Sequence, residues 1–357
     1  MFATMLTQLT LAHSNLISPM PRNAVDRTLE PWSDPVWGPG SLPHNASCPH
    51  PINFTSPTQP AHRCWGCTCV NGTEPCMVAQ TCVWFSNGCS IGCAACDSGA
   101  DSNPNKRDRC KSGMRATNND PFYRTYNRNV TAFSAADWTR WNPWRAPGAA
   151  PVHDPCGMAG GSPHWQATGL SFIDTKHAKQ GALGSVVLPK APTGVEWKAG
   201  SKVEAKWNVR ANHGGGYSYR LCSAKEKLTE VCFQRTPMRF ANNTQLEWSN
   251  GTRRAIEGRF LTSAGNSPPN SQWAMNPLPY SDDHMAPTFP NPCGDEPVDR
   301  MKNDTGRCSG RFPWDVSIVD ELVVPSGLPA GEYVLGFRYD CEATAQVWSS
   351  CADIEIS

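Results

Sequence analysis

Val203-Glu204-Ala205-Lys206-Trp207-Asn208-Val209-Arg210-Ala211-Asn212-His213 alternates apolar and polar residues with a period of two. This is the pattern of a half-buried β-strand, one face toward a core and the other toward water. His213 falls on the apolar phase, where the strand runs out into Gly214-Gly215-Gly216. The alternation returns at Tyr333, Leu335, Phe337 and Tyr339 after a turn at Pro329-Ala330-Gly331, and a last short strand carries Ala352, Ile354 and Ile356. No long segment sustains a helical repeat. Short strands between turn signals predict an all-β fold, an immunoglobulin-like β-sandwich with long loops.

The rest of the chain fits around that sandwich. Its 357 residues allow one large domain or two, but no internal repeat or Gly/Ser linker divides it, so residues 13–357 read as a single domain. Residues 13–43 read as an extended arm, and 117–165, with Trp138, Trp141 and Trp144, as long surface loops. Ten of the 17 cysteines fall between Cys48 and Cys110, a disulfide-rich insertion of about 44–116 whose shape comes from cross-links. Cys64-x-x-Cys67-x-Cys69 can be read as a zinc cluster, but in an exported chain disulfides are the better reading. Close spacing points to the pairs Cys222–Cys232, Cys293–Cys308 and Cys341–Cys351.

Export itself is read from three features. The cysteines are joined by seven Asn-x-Ser/Thr sequons, at Asn45, Asn53, Asn71, Asn129, Asn242, Asn250 and Asn303. No later apolar run is long enough to span a membrane. Met1–Ala12 is apolar and ends on Thr10 and Ala12 in cleavage-site spacing, as in the remnant of a truncated signal peptide. Cleavage after Ala12 makes His13 the first residue of a secreted, extracellular glycoprotein. A formal net charge of +1 exerts no pull on nucleic acid or an anionic membrane, and fits a neutral, insoluble partner better.

Three stretches carry a family likeness. His13-Ser-Asn-Leu-Ile-Ser-Pro-Met-Pro-Arg22 resembles the mature start of lytic polysaccharide monooxygenases, where a histidine opens the chain and a Pro-x-x-Arg-like element follows. Ala211-Asn-His-Gly-Gly-Gly-Tyr-Ser-Tyr-Arg-Leu-Cys222 is similar to the segment with their second copper histidine, especially in auxiliary-activity family fifteen, a chitin-binding type-4 domain. Gln346-Val-Trp-Ser-Ser-Cys-Ala-Asp-Ile354 is similar to their last-strand motif. The three stand in the family's order and spacing. The likeness covers the first dozen mature residues and roughly 190–357, and leaves out the Cys-rich block.

The resemblance implies a copper site built from the α-amine and imidazole of His13 and the imidazole of His213. Three nitrogen donors suit copper in both oxidation states. The amine, with a reference pKa of ~7.7–8, must lose its proton to bind, so affinity weakens as pH falls. Gln346 would orient the oxygen species, and Trp348 stands on the axial side where the family usually has Tyr or Phe. The implied activity is oxidative cleavage, at C1 or C4, of an insoluble β-1,4-linked polysaccharide, chitin or cellulose. It would be carried out by a monomer supplied by an external electron donor. Tyr217, following the glycines, is expected at the surface, its ring stacking on the C–H face of a sugar. Two other readings stay open: a copper-binding protein that is not an oxygenase, and a carbohydrate-binding extracellular protein without turnover.

Overall fold

The computed structural model describes residues 13–28, 83–87, 147–148, 152–161, 172, 174–211, 215–248, 253–262, 266–278, 316–341 and 346–357. Among them the strands are β1 (His13–Ser18), β2 (Trp84–Asn87), β3 (Met158–Ala159), β4 (Pro192–Trp197), β5 (Lys202–Ala211), β6 (Gly216–Ser223) and β7 (Arg239–Trp248). They continue with β8 (Arg253–Ile256), β9 (Phe260–Thr262), β10 (Gln272–Met275), β11 (Val316–Val323), β12 (Gly331–Asp340) and β13 (Gln346–Ile356). The helical pieces are short: a 3-10 turn at Arg22–Thr28, α1 (Gly184–Val187) and α2 (Glu230–Gln234).

Two sheets form the predicted β-sandwich. One has five strands in the order β1-β5-β11-β7-β8, the other runs β3-β2-β13-β12-β6-β10-β9 with β4 also on β13. All pairings are antiparallel except β4 with β13. β13 shares one edge between two partners: β2 pairs with Gln346, Val347 and Trp348, and β4 pairs with Asp353, Glu355 and Ile356. The expected last strand is therefore longer than Ala352–Ile356 and begins at Gln346. The opening arm is also more ordered than its prolines implied. It pairs with β5 as β1, then winds into the 3-10 turn right after Pro21, whose missing N–H is no loss at a helix start.

The alternation of β5 sorts its side chains as predicted: Ala205 and Trp207 are buried, Lys202 and Glu204 exposed. Trp207 bridges the sheets, its ring 4.4 Å from Tyr217, 5.2 Å from Phe337 and 5.3 Å from Tyr339. Within the Cys-rich block, residues 83–87 are described, and they are a strand of the large sheet. Val83, Trp84, Phe85 and Ser86 are all buried, so packing into the large sheet shapes this part of the insertion.

The disulfides correct one expectation. Cys222–Cys232 forms, with Cα atoms 5.4 Å apart, and ties β6 to α2. Cys351, however, pairs with Cys156 across 195 residues, not with Cys341. The β12–β13 register sets Cys351 opposite Gly336, so Cys341 lies about 17 Å away along the hairpin. The two also face opposite sides of the sheet: Cys341 packs in the inner core, Cys351 under α2 with Phe233. Cys293 and Cys308 lie outside the described residues.

A carboxylic acid sits inside the sandwich. Asp320, on the inward phase of β11, is fully buried and accepts hydrogen bonds from Tyr217 Oη and Tyr219 Oη, each at 3.0 Å, and from Thr244 Oγ1 at 3.1 Å. Two of its donors come from the opposite sheet, so the acid clasps the layers together. Burial pushes its carboxyl up, the hydrogen bonds offset part of that, and it settles at about 7 rather than 3.8.

Two outcomes are expected. Non-reducing peptide mapping should recover Cys351 linked to Cys156. Replacing both with serine should cost about 5 kcal/mol by loop-closure entropy, against about 3 for Cys222–Cys232. For Asp320, the folded state holds its proton to higher pH than the unfolded chain. Its contribution is therefore complete below about 3.8 and lost as pH rises through about 7. In denaturant titrations, wild type should lose on the order of 4 kcal/mol relative to Asp320→Asn across that window. A constant gap would contradict the assignment.

Candidate metal centre

Strand register brings the backbones of His13 and Gln346 to the same end of the sandwich. His13 opens β1 with its backbone opposite Ala211, the last residue of β5. Four residues, 212–215, separate the end of β5 from the start of β6. At that same end Gly216 lies opposite Asp340 and Met275, Asp340 opposite Val347, and Gln346 opposite Asn87. The side chain of His13 and the whole of His213 lie outside the described residues.

Gln346 and Trp348 share the inward phase of β13. Gln346 is 3% exposed, and its carbonyl accepts from Cys341 N at 3.1 Å, closing the hairpin. Trp348 is fully buried and stacked on Phe85, centroids 4.3 Å apart at 23°, with Tyr339 opposite on β12. The indole thus forms part of the packed layer beneath this end. Tyr217 corrects the surface expectation. At 1% exposure, wedged against Trp207 and donating to Asp320, it is a core residue and has no free face for a sugar. Gly215, at a left-handed φ of 80°, leads into β6, and Tyr217 already lies on that strand's inner face.

Two of the motif stretches are joined directly. Arg22 grips Asp353 side-on, Nε to Oδ2 at 2.9 Å and Nη2 to Oδ1 at 2.6 Å, both side chains buried. Ala191 N also donates to Asp353 Oδ2, at 2.7 Å. Paired charges with this fork geometry orient as well as attract. Closer to the centre, Leu16 N reaches Ser350 Oγ at 3.4 Å, holding β1 against β13. These contacts fix the segment after His13 against the strand of Gln346 and Trp348. On the β6 side, Asn276 N donates to Gly215 O at 3.0 Å and its Nδ2 to Tyr339 Oη at 3.1 Å.

The back of the large sheet carries a charged network that sequence reading missed. Arg338 holds Asp340 through Nε at 2.6 Å and Nη2 at 3.2 Å, and reaches Glu230 Oε1 at 2.8 Å. Arg220 joins the same Glu230 oxygen, and Gly148 N donates to Asp340 Oδ2 at 2.8 Å. Burial alone would raise the Glu230 carboxyl, but the Arg220 and Arg338 guanidiniums outweigh it and hold it at about 2. Each of these strand residues lies on the phase that looked solvent-facing. Only the helical segment Glu230–Gln234, laid over that face and stapled by Cys222–Cys232, turns it into a second interior.

No protein-family model matches the chain, and no curated protein sequence does. Among solved structures it is similar to a lytic polysaccharide monooxygenase AA15 from Thermobia domestica in the Cu(I) state, at 16% identity over 45% of this chain and 62% of that one, TM-score 0.23. It is similar also to a chitin-binding domain from Burkholderia pseudomallei, at 11% identity over 49% of this chain and 60% of that one, TM-score 0.25. A third is an AA10 lytic polysaccharide monooxygenase from Streptomyces lividans, at 13% identity over 47% of this chain and 60% of that one, TM-score 0.20. The chain thus spans about three fifths of the length of these structures. No helix among the described residues is long and apolar enough to cross a membrane.

Removing one member of the charged network should be costly, because a buried partner is left uncompensated. Arg338→Met leaves Asp340 buried without its cation and Glu230 with Arg220 alone, and should lower unfolding stability by about 3–5 kcal/mol. Equilibrium denaturation measures this; a loss under 1 kcal/mol would show that water reaches the network.

Proposed function

We propose that this protein is an exported copper protein whose metal is held by His13 and His213, acting oxidatively on an insoluble β-1,4-linked polysaccharide, chitin or cellulose. The observation that carries the reading is the backbone pairing of His13 with Ala211, one residue of chain short of the Asn212-His213 step. A strand that opens on one histidine is paired, at that residue, with the strand that runs out toward the other. Among the described residues no group of three His, Cys, Asp or Glu side chains could hold a metal, and the proposed ligands lie beyond that set. The donor chemistry fits copper: two imidazoles and, with His13 at the mature N-terminus, its α-amine make an all-nitrogen set.

Copper bound there would supply one-electron redox chemistry. The chain's own residues have separate tasks. β1, held by Leu16–Ser350 and Arg22–Asp353, sets where the first histidine's backbone lies. Gln346, buried on the strand that begins at this end, would supply a carboxamide to orient the incoming oxidant. The buried Trp348–Phe85 stack packs beneath this end of the sandwich and would keep water from entering from below. The disulfides and the sequon-rich chain support a secreted, extracellular setting, and an external donor would supply electrons. A second reading, copper binding without oxygenase turnover, is favoured by the bulk of the Trp348 indole, which packs on Phe85 at this end of the sandwich.

Protein processed to begin at His13 should bind one copper, with affinity falling as pH drops below the α-amine's range near ~7.7–8. His213→Ala should weaken binding at least tenfold. With ascorbate and peroxide on chitin and on cellulose, mass spectrometry should detect oligosaccharides with oxidised ends, absent with His213→Ala and with free copper. Stoichiometric copper without such products on either polymer would sink the oxygenase reading and favour the second.

A further inference from the structure

We infer that Asn242 carries an N-linked glycan and that the sugar is attached before the sandwich closes. The inference rests on the exported reading above, and deepens it by naming a modified residue. Six of the sequons lie outside the described residues; Asn242-Asn243-Thr244 lies within them, on β7. Phe240 pairs with Leu322 and Thr244 with Asp320, so Ala241, Asn242 and Asn243 stand opposite Glu321 alone and form a bulge. Asn242 takes a left-handed φ of 59°, which asparagine tolerates better than most residues. It is exposed, and among the described residues its side chain makes no hydrogen bond, while Asn243 Oδ1 accepts from Gln245 Nε2 at 3.4 Å. β8 pairs with β7 only from Thr244 to Glu247, so the bulge projects beyond the last paired residue of its neighbour. The carboxamide therefore has open space around it. It also sits on the order of 25 Å along the strands from the His13 end, so a glycan there leaves the candidate metal centre uncovered.

The order of events follows from the third sequon residue. A sequon is defined by the hydroxyl at its last position, so whatever reads it must reach Thr244 Oγ1. In the folded protein Thr244 is 3% exposed and its hydroxyl is given to Asp320 at 3.1 Å. The hydroxyl is thus available only before β7 joins the sheet. The donor is a lipid-linked diphosphate oligosaccharide. Asn242 Nδ2 forms a bond to its anomeric carbon and gives up one proton to solvent base. The bond from that carbon to the diphosphate breaks, and the diphosphate leaves on the lipid.

The test translates the full chain into microsomes behind a heterologous leader, so that entry does not depend on the native start. Enzymatic deglycosylation in heavy-oxygen water followed by peptide mass spectrometry should place the label at Asn242 in most chains. Thr244→Ser should keep it, and Thr244→Val and Asn242→Gln should abolish it there; none of these readouts requires the variant to fold. In a second arm, solubilised transferase should modify the reduced, denatured chain at Asn242 and leave the folded, disulfide-bonded chain unmodified. An unlabelled Asn242 in imported chains overturns the site, and equal labelling of folded and denatured chains overturns the order. Failure of the native N-terminal segment to direct import would instead sink the exported reading, with the Asn242 result unaffected.

Discussion

The pair Arg22–Asp353 is the constraint on which the rest of the arrangement depends. It joins residues 331 positions apart, with two charge-assisted bonds and almost no solvent access. The pair's net contribution is small, because both charges are desolvated; what it supplies is geometry, since a lone buried guanidinium or carboxylate would be costly. The short β1 has no covalent reason to lie beside β13. Arg22 at one end and Leu16–Ser350 at the other hold it there, and so bring the start of the domain to the strand of Gln346 and Trp348.

The two faces of the large sheet use different physics. Its inner face carries Tyr217, Tyr219, Phe337 and Tyr339, on which Trp207 and Asp320 of the facing sheet pack, the acid tied to two of the phenols. The outer face is a charge-balanced network, Arg220 and Arg338 against Glu230 and Asp340, roofed by a five-residue helix and pinned by two disulfides. The cover is held by these contacts although its helix is too short to be stable alone. The network extends to the candidate metal end through Asp340, the last residue of β12, which also accepts from Gly148 N.

Much of the sandwich was legible because burial of one sheet face imposes a period of two, visible in β5 and β12. The candidate site was legible in part. Its motifs could be picked out one by one as strand starts and ends, but only the pairing of β1 with β5 and the packing of β1 on β13 bring those stretches to one end. Tyr217 and Cys351 show where this reading stops. A glycine run before Tyr217 looks like a surface turn whichever way the next residue points. Cys341 and Cys351 look like a close pair until the hairpin register sets Cys351 opposite Gly336. Asp320 could have been noticed as an acid on an apolar phase; Arg338 could not, since an outward-phase arginine has the pattern of any solvent-facing residue.

By itself, then, the sequence determined the fold class, the strands with one wet face, the Cys222–Cys232 staple and the set of histidines, glutamine and tryptophan worth testing. Those features are local, written in alternation and short spacing. Only the tertiary structure decided which strands are wet on neither face, which cysteine Cys351 meets, and that Arg22 and Asp353 are partners. These depend on contacts between residues far apart in the chain. Their energies come from desolvation and register, which no local pattern records.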